Sequence, residues 1–568
     1  MTEHPTDGSG GGYPLPARSL TSLFEEAVAQ WPERPCIDFL DRKWTYREIG
    51  DLVTRAAAGF RRLGVTRDTR VGLCLPNTPY AVICYFAVLK AGGTVVNFNP
   101  LYVEREIEHQ IRDSGATVMV TMDLKLMLPK VQGLLGRTSL KTVVVCPMAA
   151  ILPFSKALLF RLFKRGDLAP WTSDANHVSF ARLTAEATPI ETPAFDPTTE
   201  VAVLQYTGGT TGTPKGAMLT HANLTANAEQ IRLWIPDGAI AAGQPRMLGV
   251  LPLFHVFAMT VVMNFGLRMG AELILLPRFE LDQVLDTIER KKPTLFPGVP
   301  TIYTALNAAA AKGKRDLSSI EFCISGGAPL PLDVKTRFES LTGCRLVEGY
   351  GLSEASPVVT CNPVTGETKV GSIGLPVAGT TVEVRTPVTS TQLLGVGERG
   401  EICVRGPQVM LGYWRRPEDT ADQLRDGLLR TGDIGYRDAD GFVFLVDRIK
   451  DIIICGGYNV YPRVLEEALY QHEAVEEATV IAVSDRYRGQ APKAFVKLRD
   501  GAETTPEDLK VFLAGYVSKI ELPREIEIRD SLPKTMVGKL SKKELIAEEI
   551  ARDTAEAVGD RLHDDTSA

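Results

Sequence analysis

The chain has 568 residues, 44% of them hydrophobic and 23% charged, and its 63 basic and 69 acidic side chains leave a formal net charge of −6. At about 150 residues per domain this length suggests roughly four domain-sized units, which large α/β enzymes often fuse into one body, and the composition excludes a wholly disordered chain. The acidic balance argues against a nucleic-acid partner.

The nine cysteines, at 36, 74, 84, 146, 323, 344, 361, 403 and 455, are isolated and never at CxxC spacing. They read as buried reduced thiols, with no disulfide frame or zinc site. The first dozen residues lack the basic and apolar regions of a signal peptide. The longest apolar run, 80–89, is about half a membrane span. The expectation is a soluble cytoplasmic protein.

In chain order, residues 1–15 read as a flexible N-terminus, and Leu20–Gln30 has helical spacing. A buried strand is predicted at 71–75, a buried helix at 80–90 and a turn and strand at 92–97. Glu104–Ser114 is helical and 117–122 is again a strand. Strands separated by helices of this length imply βαβ units and a largely parallel sheet covered on both faces. Residues 150–166 stand apart. Leu158, Leu159, Leu162 and Phe163 are interleaved with Lys156, Arg161, Lys164 and Arg165. Two readings stay open there: a basic amphipathic helix lying on an anionic membrane, or an ordinary surface helix packed on the core. From 382 the pattern changes to short strands and turns. A second, smaller α/β unit follows Lys450, with a helix at 462–472, strands at 478–483 and 493–498 and a helix at 506–518. The charged break at 447–451 is the natural boundary. This divides the chain into a large unit at 16–447, a hinge at 448–450, a small unit at 451–550 and a tail at 551–568.

Four segments carry chemistry. Tyr206 to Gly216 follows an apolar strand and contains Thr207, Gly208, Gly209, Thr210, Thr211, Gly212, Lys215 and Gly216. Its backbone N–H groups, hydroxyls and lysine suit phosphate oxygens, although the order Lys215-Gly216 excludes a Walker A loop. In the second segment, Glu348, Gly349, Tyr350, Gly351, Leu352, Ser353 and Glu354, an aromatic between two glycines can lie against a purine. A lone carboxylate at Glu354 would repel a polyphosphate by about 4 kcal/mol per charge pair at 4 Å, so Glu354 makes sense chiefly as a Mg²⁺ ligand. In the third, Asp433 follows a turn and could accept from ribose hydroxyls. In the fourth, Lys539 follows Gly538 in a turn before a basic helix, and nothing local singles it out.

Together these segments resemble the adenylate-forming superfamily of acyl-CoA ligases, luciferases and peptide-synthetase adenylation domains, over about residues 20–545. Within it, the segments 206–212, 251–258, 372–377, 406–414 and 458–462 resemble bacterial long-chain fatty-acid–CoA ligases. The resemblance implies a large N-terminal domain of parallel-sheet βα subdomains with a small β-barrel-like part, followed by a small mobile α+β C-terminal domain. It implies activation of a fatty acid by Mg·ATP to acyl-AMP, then transfer to CoA with release of AMP. On these residues it places ATP phosphates on 207–216, adenine on Gly326, Gly327, Ala328 and Tyr350, the α-phosphate near Ser353, Mg²⁺ on Glu354 and ribose on Asp433 and Arg448. Thr207, Glu354 and Lys539 are the implied catalytic residues, with Lys539 bridging carboxylate and α-phosphate. Lys450 is the implied hinge, Gly456 and Gly457 the CoA tunnel, and His255 and Met259 part of the fatty-acid pocket. The absence of an acid at 253–257 argues against an amino-acid substrate. Ligation of aromatic carboxylates, transfer to a carrier protein and a non-catalytic lipid- or nucleotide-binding scaffold are the alternatives. A homodimer is left open.

Overall fold

The computed structural model describes residues 15–186, 190–207, 214–236, 238, 240, 244–313, 315–387, 390–456, 458–485, 487–535 and 538–552. The expected flexible N-terminus lies almost wholly outside the described residues, as does nearly all of the tail.

The large N-terminal domain begins as the hydrophobic spacing requires. Leu20–Gln30 forms its helix, and the Ser19 hydroxyl accepts from the Ser22 N–H at 3.0 Å to cap it. Thr45 and Glu48 close a capping box on Tyr46–Arg62. Pro79–Ala91 is buried on nearly every side, so its uniform apolarity marks a helix inside the core. It stops at Gly92, whose φ of 89° is the left-handed conformation that glycine adopts without strain.

A seven-stranded sheet runs in the order His177–Ser179, Thr142–Cys146, Val118–Met122, Arg70–Cys74, Thr94–Asn97, Val201–Thr207 and Lys215–Thr220. All neighbours are parallel except the last pair. A second sheet orders Arg246–Gly249, Glu272–Leu275, Pro35–Phe39 and Arg42–Thr45. Single bridges from Met247 to Leu295 and from Leu295 to Phe322 connect it to a nine-stranded sheet. That sheet starts parallel, at Phe322–Ser325 and Arg345–Gly351, then turns antiparallel through Val358–Cys361, Ser372–Pro376, Val443–Arg448, Leu428–Arg437, Gly400–Arg405 and Thr381–Arg385. These antiparallel strands match the pattern change read near residue 382.

The small C-terminal domain has its own five-stranded sheet, built on the long hairpin Val475–Asp485 and Gly489–Leu498, and its own apolar core. Its helices are shorter at the C-terminal end than expected, at Pro462–Tyr470 and Pro506–Leu513. All nine cysteines are buried free thiols. No described helix is long and apolar enough to cross a membrane.

Candidate active site

A cleft of about 2290 Å³ lies where the two domains meet. It is walled by the ends of the large-domain strands, where open α/β sheets gather ligands. Of the expected site residues it brings together Thr207, Lys215, His255, Gly326, Gly327, Ala328, Glu348, Gly349, Tyr350, Gly351, Ser353, Glu354, Asp433, Arg448, Lys450 and Lys539. Gly208, Gly209, Thr210, Thr211, Gly212 and Gly457 lie outside the described residues. The flanks of the first of these gaps are fixed. Thr207 and Lys215 are antiparallel partners at the facing ends of the strands Val201–Thr207 and Lys215–Thr220. The helix His221–Trp234 follows the second of these strands.

Lys539 reaches the cleft from a tightly braced turn. The Thr535 N–H donates to its carbonyl at 2.6 Å, and the Thr535 hydroxyl accepts from its N–H at 3.1 Å. The Thr301 hydroxyl of the large domain donates to the Gly538 carbonyl at 2.8 Å, and Arg499 pairs with Asp333 at 2.8 Å, so the small domain is docked with the lysine inside. Burial, then the neighbouring Arg448 charge, bring the Lys539 ammonium down to about 8. His255 faces the same charge. Burial, helped by Lys539, lowers its pKa to about 3, so the imidazole is neutral. Its Nδ1 accepts from the Phe257 N–H at 3.2 Å, which leaves Nε2 with the proton, and the residue lines the cleft.

Asp433 is buried and doubly held: the Tyr350 hydroxyl donates to Oδ2 at 2.5 Å and Arg448 Nε approaches Oδ1 at 3.3 Å. Burial raises the Asp433 carboxyl even against the Arg448 charge. The glycines around Tyr350 serve a different purpose from the one read in the sequence. A Cβ on Gly349 would lie 2.9 Å from Ile324 Cδ1, and one on Gly351 would lie 2.0 Å from the Pro357 carbonyl oxygen. They are required by close packing of the protein on itself, and the Tyr350 ring keeps its place in the cleft wall.

Several residues in the site had no role in the sequence reading. The Tyr413 hydroxyl donates to Glu354 Oε1 at 2.7 Å, and Lys215 Nζ is paired with Asp419 instead of standing free. Asp113 ties this corner together, accepting from the Tyr206 hydroxyl at 2.6 Å and from Arg416 at 3.1 Å. Asp447, at the domain junction, accepts from the Arg463 and Arg448 N–H groups, each at 2.8 Å, and burial raises it to about 6. Burial likewise raises Glu348 to about 7. Tyr413 sits in a segment already singled out for its wording, whereas Asp113 and Asp419 are visible only once the chain is folded.

Three expected residues lie elsewhere, the first being Gly216, which is paired with Tyr206 in the sheet and does not line the cleft. Met259 is fully buried behind the wall, where its sulfur accepts from Asn97 Nδ2 at 3.2 Å, and it does not line the cleft. It opens a π-helical stretch, Met259–Asn264, which rotates Val261 and Phe265 toward a narrow slot of about 20 Å³. The slot is lined almost wholly by apolar surface, and Ile324 and Val358 belong to both its wall and that of the cleft. Gly456 is exposed at the turn between Ile453–Cys455 and Tyr458–Val460, outside the cleft lining. Ile454 and Tyr458 beside it are 57% and 64% exposed. With Lys539 docked, this hairpin faces away from the cleft.

Among the described residues no group of three or more His, Cys, Asp or Glu could hold a metal ion. Mg²⁺ usually keeps several waters and takes one or two protein oxygens beside those of a phosphate ligand, and Glu354 and Thr207, both in the cleft lining, could supply such oxygens.

The family described as AMP-binding enzyme matches residues 24–414, and its C-terminal domain matches residues 464–539. A long-chain-fatty-acid–CoA ligase of Bacillus subtilis is 44% identical over 552 residues, covering 97% of this chain and 98% of that protein. One from Yersinia pestis is 37% identical over 566 residues, covering 98% and 99%. Among solved structures, an anthranilate CoA ligase in complex with anthranoyl-AMP superposes with a TM-score of 0.83 at 26% identity, covering 95% of this chain and 99% of that one.

Proposed function

Because the chain belongs to the AMP-binding enzyme family, we propose that it ligates medium-to-long-chain fatty acids to CoA through an acyl-AMP intermediate. In the first step a carboxylate oxygen attacks the α-phosphorus of ATP, the bond to the β-phosphate breaks and pyrophosphate leaves. Two anions must approach to bonding distance, at a cost of about 4 kcal/mol per charge pair at 4 Å. Lys539, half-buried between the domains and next to Gly327, supplies the offsetting charge at that point. This placement is the observation that carries the reading. Asp433 and Arg448 bind the ribose, Tyr350 and 326–328 flank the adenine, and Ser353 lies toward the α-phosphate. Glu354 with the Thr207 hydroxyl would hold the Mg²⁺ that enters with ATP, whose charge offsets that of the phosphates.

The acyl tail runs along the cleft past the neutral His255 to Ile324 and Val358, and the small slot behind them takes no more than its end. In the second step the CoA thiol attacks the acyl carbon, the bond to the phosphate oxygen breaks and AMP leaves. A turn about Lys450, with residues 448–450 as hinge between the units 16–447 and 451–550, withdraws Lys539 and brings the Gly456 hairpin to the cleft. Incubating the protein with Mg·ATP, CoA and carboxylates from acetate to oleate plus 4-coumarate tests the reading. Acyl-CoA and AMP should form from the longer fatty acids. Turnover of 4-coumarate alone, or acyl-AMP that never becomes thioester, would overturn it.

A further inference from the structure

The helix Phe154–Phe163 is built inside out. Its inward face is small, with Ala157 and Phe160 packed against the main core, and none of its residues is buried. Its outward face is apolar. Phe154, Leu158 and Leu162 follow one another at four-residue intervals, and Leu159 and Phe163 form the next stripe. Phe154 is 87% exposed and Phe163 78%. The helix rests on the core through Ala157 and Phe160, while its large side chains point away from it.

Cations border this face. Lys156 flanks one side and Arg161 the other, and Lys164 and Arg165 follow at the C-terminal end, with no acid between 154 and 166. Lys156 pairs with Asp41 at 2.5 Å and Lys164 stands 3.8 Å from Asp167, whereas Arg161 and Arg165 make no ion pair among the described residues. The turn at 124–127 is fastened alongside by the Lys125 N–H donating to the Asp167 carbonyl at 2.9 Å and by a bridge from Leu124 to Leu168. It adds Leu126, 54% exposed, and the exposed Lys125. A chain of net charge −6 carries here a local patch of the opposite sign around an apolar centre. Apolar side chains rimmed by lysine and arginine complement the headgroup and acyl boundary of an anionic bilayer, and a helix of this kind inserts its apolar face about 5–10 Å.

We propose that Phe154–Phe163 is a monotopic docking surface for an anionic lipid bilayer. It holds the enzyme where long-chain fatty acids partition. The relevance to fatty acids rests on the proposed ligase activity, but the lipid contact does not. The test is flotation of the full chain with vesicles of phosphatidylcholine alone or mixed with phosphatidylglycerol. The comparison proteins are Leu158→Asp/Leu162→Asp and Arg161→Glu/Arg165→Glu, whose altered residues are exposed. Ligation of dodecanoate in detergent-free buffer reports whether each protein is folded. Binding to the mixed vesicles is expected, falling at least about tenfold in either variant and at high salt, with dodecanoate turnover unchanged. Three results would overturn the proposal: no flotation of the unaltered protein with mixed vesicles, equal flotation of the Asp variant, or a dimer that the Asp variant splits while vesicles remain unbound. Loss of ligation in every protein with flotation intact would refute the ligase reading and leave the docking surface standing.

Discussion

Lys539 lies so close across Gly327 that a methyl group on that glycine would fall 2.4 Å from the lysine Cε and 3.0 Å from Nζ. One residue belongs to the small domain and the other to the large, so this contact reports how the two domains are docked. Gly327 also has φ +82°, a conformation that costs other residues about 1–2 kcal/mol. Gly327→Ala is therefore expected to displace Lys539 and slow pyrophosphate release at least about tenfold. Thioesterification of supplied acyl-AMP, which the proposed turn about Lys450 assigns to another domain arrangement, should stay within about threefold. Equal loss of both half-reactions would show a general folding defect instead.

Lys539→Ala removes the charge altogether. Loss of one group stabilising a developing anion typically costs about 10²–10³ in rate. That loss is expected in ATP–pyrophosphate exchange, with conversion of supplied acyl-AMP to acyl-CoA retained.

The lowered Lys539 pKa has a definite sign in ATP binding. With the folded cleft empty its ammonium titrates near 8, because burial and Arg448 disfavour the charge. Bound phosphates favour the charged form and raise that pKa. Between about pH 8 and 9 binding of ATP should therefore take up a proton, and affinity should weaken as pH rises through the pKa of the empty enzyme. Calorimetry in buffers of different ionisation enthalpy measures the uptake. Lys539→Arg, which stays charged, should abolish it.

The Tyr413–Glu354 hydrogen bond orients the carboxylate assigned to Mg²⁺. Tyr413→Phe removes an interaction of about 1.5–3 kcal/mol if the bond to the charged group is fully lost. The Mg²⁺ concentration for half-maximal activity should rise about tenfold, with little change at saturating Mg²⁺. An unchanged Mg²⁺ dependence would separate Tyr413 from the metal.

The proposed acyl path ends at the small apolar slot behind Ile324 and Val358. Val261 lines the slot and not the cleft. Val261→Phe fills it at a typical overpacking cost of about 1–3 kcal/mol. Palmitate turnover should fall at least about tenfold while octanoate turnover persists. A uniform fall across chain lengths would mean that the tail runs elsewhere.

Much of this architecture was legible in the sequence because local patterns dictate it. The uniform apolarity of residues 80–90 becomes the buried helix Pro79–Ala91, and the alternation of short apolar runs with helices becomes the parallel sheet. Site residues carried by compact motifs, such as Tyr350 and Asp433, were legible in the same way, and they meet through a direct hydrogen bond. Lys539 was not legible from its own surroundings, since the role proposed for it depends on contact with a glycine more than 200 positions away. Asp113 and Asp419 escaped for the same reason: their partners are distant in sequence, at Arg416 and Lys215. Met259 was placed by resemblance alone, and its side chain is instead buried against Asn97, a partner distant in sequence.

Tracing the carboxylate oxygens tests the central claim most directly. With palmitate carrying ¹⁸O at both carboxylate positions, attack on the α-phosphorus must leave one labelled oxygen in AMP and the other in palmitoyl-CoA. Mass spectrometry of the two products should find one ¹⁸O in each. Unlabelled AMP alongside labelled thioester would contradict an acyl-AMP intermediate, and with it the role assigned to Lys539.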